Sequence, residues 1–251
     1  MRTTAILNLK GGVAKTSTAV NMAAILANDY EKRVLVVDAD SQCNATDFFG
    51  GIEKSRCTFA DMLRRICVNE PIKPSSFPGV DLLPADDTLM DLDLSKIEDQ
   101  SVDVTCLKRK LNGLAKKYDA VIIDCPPAFN AASAAALVAA DDVVIPIKLD
   151  AFSLRGMSNL MRQIGNMRKI NKNLRLAGLL PTMCYKSESI SDAMDQLRSS
   201  NLPVFSPIRR TAKVDDMTFA QEPLIVSSPK SAACVDYRRF VKEYMGGEQN
   251  G

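Results

Sequence analysis

The stretch Asn8–Ser17, which reads NLKGGVAKTS, decides how this chain folds. It follows a strand-like apolar run, Thr4–Leu7, and it leads into a helix-like run, Thr18–Ala27. Two adjacent glycines let the backbone turn tightly and point its N–H groups at a phosphate, and the start of the next helix adds a dipole that favours anions. The sequence therefore predicts a nucleoside triphosphate site close to the amino terminus.

Particular side chains of this loop have predicted roles. Lys15 is expected to reach the β- and γ-phosphates, and the hydroxyl of Thr16 is expected to bind Mg²⁺. Lys15 is therefore assigned to catalysis as well as to binding. The predicted nucleotide-binding residues of the loop are Lys10, Gly11, Gly12, Val13, Ala14, Lys15, Thr16 and Ser17.

The loop departs from the common pattern G-x-x-x-x-G-K-[ST]. Leu9 and Ala14 stand where that pattern has glycines, and a second lysine, Lys10, precedes the glycine pair. The form K-G-G-x-x-K-[ST] resembles the deviant Walker A loop of the ParA/MinD family of ATPases. The resemblance implies that Lys10 is a catalytic residue that reaches across a dimer interface to the nucleotide of the other subunit. The alternative is a solvated loop lysine.

The rest of the chain alternates apolar runs with helical patterns. The runs lack polar alternation, as expected for strands that are covered on both faces. This predicts an α/β fold, a single P-loop NTPase domain over residues 1–245 with a twisted, mostly parallel sheet and helices on both faces, followed by a flexible tail over residues 246–251. The predicted later strands are 33–38, 80–84, 120–124, 142–147 and 176–182, and the main crossover helices are 16–27, 106–117, 154–171 and 189–200.

Two predicted strands end in aspartate, at Asp38 and Asp124. Because ligands bind beyond the carboxyl ends of parallel strands, both carboxylates are expected beside the phosphate loop. Thr16, Asp38 and Asp124 are the predicted magnesium-binding residues.

Two further motifs resemble the switch regions of the same family. Residues 38–46, DADSQCNAT, resemble D-x-D-P-Q-x-N-x-T, with Ser41 in place of the proline, and residues 124–127, DCPP, resemble D-x-P-P. A carboxylate can position or activate the water that attacks the γ-phosphate, so Asp40 is the predicted catalytic residue of the first motif. The alternative for Asp40 is a turn or helix-capping residue.

The resemblance extends loosely to the end of the chain. Residues 203–213 look like the late strand of the family and the basic loop that follows it. In the related proteins this segment and the one after strand 176–182 surround the adenine. The resemblance therefore implies base contacts from Thr182, Met183 and Pro207.

Composition limits the function classes. The chain has 251 residues, 46% hydrophobic and 25% charged, and no apolar run approaches the roughly 18 residues that span a bilayer. The first predicted strand follows Met1-Arg2 directly, so no signal peptide is expected and a cytoplasmic protein is predicted.

The chain has no histidine, which excludes imidazole chemistry. The seven cysteines are scattered, without C-x-x-C, which favours reduced buried thiols over a disulfide framework or zinc site. The alternative is an iron–sulfur cluster shared between subunits, as in some relatives.

The net charge of +2 conceals an asymmetry. Residues 1–150 carry 17 Lys and Arg against 21 Asp and Glu, whereas residues 151–251 carry 15 against 9. A basic carboxyl-terminal part suggests a surface that meets a polyanion, and an ordinary solvated basic loop is the alternative. Combined with the family resemblance, this predicts DNA contacts from Lys186, Arg209, Arg210 and Lys213.

The resemblance implies a ParA-type partition ATPase that uses ATP and Mg²⁺. We expect an ATP-dependent homodimer that binds DNA without sequence preference, associates with the nucleoid and hydrolyses ATP when a ParB-like centromere-binding partner stimulates it. Because the chain begins almost at the first strand, it resembles the short form, without an amino-terminal helix-turn-helix. The alternatives are a MinD-like membrane ATPase, a positioner of non-DNA cargo, or a metabolic relative. The apolar stripe Tyr237, Phe240, Val241 and Tyr244 is expected to pack on the protein, which argues against membrane binding.

Overall fold

Six predicted strands and one further short strand, β3, lie side by side in one seven-stranded sheet. The computed structural model describes residues 1–51 and 57–246, without the side chains of residues 151–156. The strand order is β3-β4-β2-β5-β1-β6-β7, and every neighbouring pair is parallel except β3 with β4. The strands are β1 Arg2–Ile6, β2 Val34–Asp38, β3 Lys73–Pro74, β4 Val80–Leu83, β5 Ala120–Asp124, β6 Asp142–Lys148 and β7 Arg175–Thr182.

The register of the central strands brings their carboxyl ends together. Ile6 of β1 pairs with Asp124 of β5, and Asp124 pairs with Asp38 of β2. Every residue of β2 is buried, as the unbroken apolar run predicted. The phosphate loop and both strand-ending aspartates therefore share one edge of the sheet, here called the carboxyl edge.

Helices cover both faces of this sheet. One hydrophobic core lies under helices that include α5, α6 and α7, and the other lies under α1, α2 and α11. None of the helices formed by the described residues is long and apolar enough to cross a bilayer. The helices are α1 Lys15–Asp29, α2 Asn44–Phe48, α3 Phe59–Leu63, α4 Ser95–Glu98, α5 Cys106–Gly113, α6 Ala131–Ala139, α7 Ala151–Arg168, α8 Glu188–Arg198, α9 Ala212–Ala220, α10 Leu224–Ser227 and α11 Ala232–Gly246, with a 3-10 helix at Asp87–Asp91.

The predicted late strand within residues 203–213 does not form. The segment runs beside β7 and makes single backbone hydrogen bonds, such as Phe205 N to Leu179 O at 2.9 Å and Ile208 N to Pro181 O at 2.8 Å. Pro203 and Pro207 have no N–H group, so they interrupt the ladder that a strand requires. The short antiparallel strand β3, by contrast, is not among the strands that the sequence predicts.

The carboxyl-terminal helix α11 belongs to the body of the protein. Its stripe Tyr237, Phe240, Val241 and Tyr244 is buried in the second core, as expected from the spacing. The helix includes Gly246, which the sequence assigns to the tail. The remaining predicted tail residues, 247–251, lie outside the described residues.

Candidate nucleotide site

The phosphate loop leaves β1 and enters α1 through two left-handed residues. Gly12 has φ +67°, and Ala14, which precedes the helix, has φ 66°. A Cβ atom built on Gly11 or Gly12 would meet no atom within 4 Å. The space above both glycines is therefore open, and a phosphate can approach the backbone closely.

Lys15 lies inside this loop. Its side chain is only 7% exposed, and its Nζ donates a hydrogen bond to the Lys10 carbonyl at 3.2 Å. Burial lowers the pKa of Lys15, and the nearby carboxylates of Asp124 and Asp40 oppose that effect. The ammonium group is thus held at the carboxyl edge, where it can meet both these acids and a polyphosphate.

Asp124 is a buried carboxylate without a partner. It is 1% exposed, and neither of its oxygens accepts a hydrogen bond from any described residue. Burial raises the pKa of Asp124 well above its ordinary value, the charge of Asp38 raises it further, and the adjacent Thr16 hydroxyl lowers it. Such a group is costly to ionise unless a cation compensates it.

These features fit Mg²⁺ bound to a nucleotide. Asp124 and the Thr16 hydroxyl offer hard oxygen ligands beside the open loop, and Mg²⁺ prefers few protein ligands together with phosphate oxygens and water. No group of three or more Cys, Asp or Glu side chains that could hold a metal occurs in residues 1–51 and 57–246. The cation would therefore depend on the phosphates to complete its coordination.

Asp38 holds the first switch loop. Its Oδ2 accepts hydrogen bonds from both the N–H and the hydroxyl of Thr46 at 2.8 Å, and its Oδ1 accepts one from the Asp40 N–H at 3.0 Å. Burial raises the pKa of Asp38 to about 6. With both oxygens engaged, Asp38 positions the loop that carries Asp40, and its role as a magnesium ligand stays a prediction.

Asp40, which lies on that loop, is close enough to Lys15 for its charge to raise the pKa of Lys15. Its Oδ1 accepts a hydrogen bond from the Gln42 N–H at 3.1 Å, and the residue is 6% exposed. The hydrogen bond from Gln42 engages one of the two carboxylate oxygens of Asp40. The structure thus brings Asp38, Asp40 and Asp124 together with Lys15. The strand-end argument predicted this position for Asp38 and Asp124, and the resemblance to the switch motif suggested it for Asp40.

Lys10 has a different environment from Lys15. Its Nζ donates to both carboxylate oxygens of Asp150, at 2.9 and 2.7 Å, and its side chain is 37% exposed. Asn8 fixes the loop below it by donating to the Pro146 carbonyl and accepting from the Lys10 N–H. Lys10 therefore lies on the rim of the site, held by a residue 140 positions away that no local pattern indicated.

A cavity of about 230 Å³ adjoins the loop on the other side. Two of the predicted base-contact residues, Thr182 and Met183, line it, whereas Pro207 does not and its neighbour Ile208 does. The Thr182 hydroxyl donates to the Val13 carbonyl at 3.1 Å, which ties β7 to the phosphate loop. The other lining residues are Ala14, Lys148, Tyr185, Arg209, Arg210, Thr211, Val214, Asp215 and Tyr237.

Two residues of this region were missed by the sequence analysis. Tyr237, which looked like part of a packing stripe, also lines the cavity, and its hydroxyl lies 3.4 Å from that of Thr18. The buried Asn21 donates to the Ser17 carbonyl and accepts from the Leu224 N–H, which joins α1 to α10. Both residues contact partners more than 200 positions away in the chain, so only the fold reveals these contacts.

The residues predicted to contact DNA divide into two groups. Arg209 forms a two-pronged ion pair with buried Asp236, at 2.7 and 2.8 Å, which raises the pKa of Arg209, and Lys213 pairs with Asp216 at 2.9 Å. Arg210 and Lys186 are exposed and have no carboxylate partner among the described residues. Arg209 therefore anchors the segment before α9 to α11.

Known proteins resemble this chain over nearly its whole length. A family profile described as an AAA domain matches residues 1–176. The sporulation initiation inhibitor protein Soj of Bacillus subtilis is 33% identical over 95% of this chain and 96% of its own length. The chromosome partitioning protein ParA of Caulobacter vibrioides is 32% identical over 100% and 96%, respectively.

A solved structure shares the fold and carries a nucleotide. Cobyrinic acid a,c-diamide synthase from Mycobacterium smegmatis, with bound ADP and magnesium, superposes with a TM-score of 0.83 at 29% identity. The match covers 100% of this chain and 96% of that one.

Proposed function

Since the chain belongs to the ParA and Soj family of P-loop ATPases, we propose that it is an ATP-dependent dimerising ATPase that partitions DNA. ATP and Mg²⁺ are the ligands of the carboxyl edge. The proposal covers three steps: closure of a dimer around two nucleotides, non-specific DNA binding by that dimer, and hydrolysis that releases it.

The contrast between two lysines of one loop carries the proposal. Lys15 is 7% exposed and faces the carboxylates of its own site, whereas Lys10 lies at the rim with its side chain 37% exposed. A cation at the rim can reach a nucleotide presented by another protomer more readily than its own. Exchanging its partner from Asp150 to a phosphate would favour the dimer only when ATP is present.

Residues at the same edge support hydrolysis. Lys15 and the loop N–H groups would hold the β- and γ-phosphates, and Mg²⁺ held by Thr16 and Asp124 would neutralise charge on them. Asp40, on the loop fixed by Asp38, would position the attacking water. We infer weak intrinsic activity that a ParB-like partner and DNA increase.

Binding to DNA would use exposed cations of the carboxyl-terminal part. Arg210 and Lys186 are the stronger candidates, because Arg209 and Lys213 already have carboxylate partners. A dimer would double this surface, so DNA binding would follow ATP, and the protein would associate with the nucleoid in that state.

Dimer formation can be tested by light scattering with a non-hydrolysable ATP analogue. Wild-type protein should have twice the monomer mass with the analogue and the monomer mass with ADP. Lys10→Ala should remain monomeric while still binding the analogue, because Lys15 is intact. A Lys10→Ala dimer as stable as that of the wild type would contradict the proposed role of Lys10.

The cargo can be tested by co-sedimentation with DNA or with anionic liposomes. The partition proposal predicts strong capture by DNA with ATP and much weaker capture with ADP. ATP-dependent capture by liposomes alone would instead favour the MinD-like alternative. Capture by neither would favour a non-DNA cargo.

A further inference from the structure

The strands of the sheet begin at the edge opposite the nucleotide, and that edge is strongly basic. We define the amino edge as the segments that enter β1, β2, β5, β6 and β7: residues 1–2, 30–33, 114–119, 139–142 and 168–175. They contain nine Lys and Arg residues and four Asp and Glu residues, a net charge of +5. The segment 75–79, which enters β4, has no charged residue.

Several of these cations are neutralised within the fold. Arg33 pairs with Asp119 at 3.1 Å, Lys117 pairs with Asp81 at 3.2 Å, and Arg2 and Arg175 share the buried Asp142. The others have no carboxylate within 4.0 Å in the part of the chain that the structure describes. These five are Lys32, Lys116, Arg168, Lys169 and Lys172, and all but half-buried Lys32 are exposed.

Helix dipoles do not account for this excess. Helices α1, α5, α6, α7 and α11 all end towards the amino edge, where Tyr244 of α11 contacts Asp142. Each contributes about −0.5 charge there, which leaves roughly +2.5. The end of α6 is already capped, because the amide of Asn171 donates to the carbonyls of Leu137 and Ala140 at 2.9 and 2.6 Å. Lys169 and Lys172 flank this amide without taking part in the cap.

The turn that carries these lysines is held rigidly. The Arg175 N–H donates to the Asp141 carbonyl at 2.9 Å, Arg168 Nε donates to the Leu174 carbonyl at 2.9 Å, and Lys108 Nζ lies 3.5 Å from the Asn171 amide oxygen. Little order must therefore be imposed on the backbone when a partner binds. Five adjacent strands at about 4.8 Å spacing make this edge about 19 Å wide.

The kind of partner follows from charge and apolarity. A duplex carries one negative charge per roughly 1.7 Å, so a surface of this width can meet several phosphates at once. Lipid insertion would need an apolar face, but Met1 and Ile170, 41% and 67% exposed, are the large apolar side chains exposed here in the described structure.

We propose that the amino edge binds the phosphate backbone of duplex DNA through Lys169, Lys172 and their unpaired neighbours. This deepens the proposed DNA-partitioning function and rests on it. Because the surface lies across the sheet from Lys10 and Lys15, its contribution does not depend on the bound nucleotide. It differs in this from the surface around Lys186 and Arg210.

The test compares two charge-reversal variants, Lys169→Glu/Lys172→Glu and Lys186→Glu/Arg210→Glu. Binding of each to a labelled random-sequence duplex is measured by anisotropy from about 50 to 200 mM salt, with ATP analogue and with ADP. The proposal predicts that Lys169→Glu/Lys172→Glu weakens binding in both nucleotide states and reduces the slope of log K against log salt by about 2. Its affinity for ATP analogue should equal that of the wild type, which confirms an intact fold.

Two results would overturn the proposal. In the first, wild-type protein binds duplex, Lys186→Glu/Arg210→Glu loses that binding, and Lys169→Glu/Lys172→Glu keeps both affinity and salt slope. That result would contradict the role of the amino edge but not the proposed function. In the second, Lys169→Glu/Lys172→Glu loses binding to phosphatidylglycerol vesicles but not to duplex, which would assign the edge to a membrane. Failure of the wild type to bind duplex in any nucleotide state would instead overturn the proposed function itself.

Discussion

Two buried aspartates at opposite edges of the same sheet differ in their surroundings. Asp142, at the amino edge, is 1% exposed and meets Arg2, Arg175 and the hydroxyl of Tyr244. Asp124, at the carboxyl edge, is equally buried and accepts no hydrogen bond from the described residues. A buried charge that the fold itself satisfies is structural, whereas one that the fold leaves unsatisfied is prepared for a ligand.

The largest expected effect is on nucleotide binding at the carboxyl edge. Lys15→Ala removes the cation that faces Asp124 and Asp40, so it should abolish measurable binding of ATP to the purified protein. Arg175→Ala, at the amino edge, is the matched control and should bind ATP normally. Equal binding by Lys15→Ala and wild type would mean that the phosphate site lies elsewhere.

A second large effect should separate hydrolysis from binding. Asp40→Ala should retain ATP but lose roughly 100-fold or more in turnover, as expected when a positioned proton acceptor is removed. Phosphate release with and without DNA and partner measures it. Normal turnover in this variant would remove Asp40 from the reaction.

A moderate effect should appear at the amino edge. Asp142→Asn leaves Arg2 and Arg175 without their shared carboxylate and should destabilise the protein by about 2 kcal/mol, a fall in Tm of about 4–8 °C. The figure is modest because both arginines are partly solvated. Thermal unfolding without nucleotide measures it. Unchanged stability would show that the network around Asp142 contributes little.

The smallest expected effect is a gain in stability rather than a loss. Asp124→Asn removes an unsatisfied buried charge, so nucleotide-free protein should become more stable, by about 1 kcal/mol. Because folding raises the pKa of Asp124, this gain should be absent near pH 4, where the acid is neutral, and should grow as the pH rises. A loss of stability at pH 8 would show that Asp124 has a structural partner after all.

Local sequence was a good guide wherever the chemistry is local. The glycine pair with Lys15, the strand-ending aspartates and the unbroken apolar strands predicted the carboxyl edge and the parallel sheet. They did so because backbone conformation and strand burial leave a direct pattern in the residues.

Contacts between distant segments could not be predicted in this way. Nothing near Lys10 indicates Asp150, and nothing near Arg209 indicates Asp236. The stripe containing Tyr237 gave no sign that this residue also lines the cavity beside the phosphate loop. The family resemblance suggested a strand within 203–213, which the prolines of that segment prevent.

The most direct test is calorimetric titration of a non-hydrolysable ATP analogue, with and without Mg²⁺, into wild type, Asp124→Asn and Asp142→Asn. We predict that Mg²⁺ strengthens binding to the wild type and to Asp142→Asn, and that Asp124→Asn binds the analogue without this magnesium-dependent gain. If Mg²⁺ strengthened binding equally in all three proteins, or if the wild type gave no heat of binding, the assignment of the carboxyl edge would be contradicted.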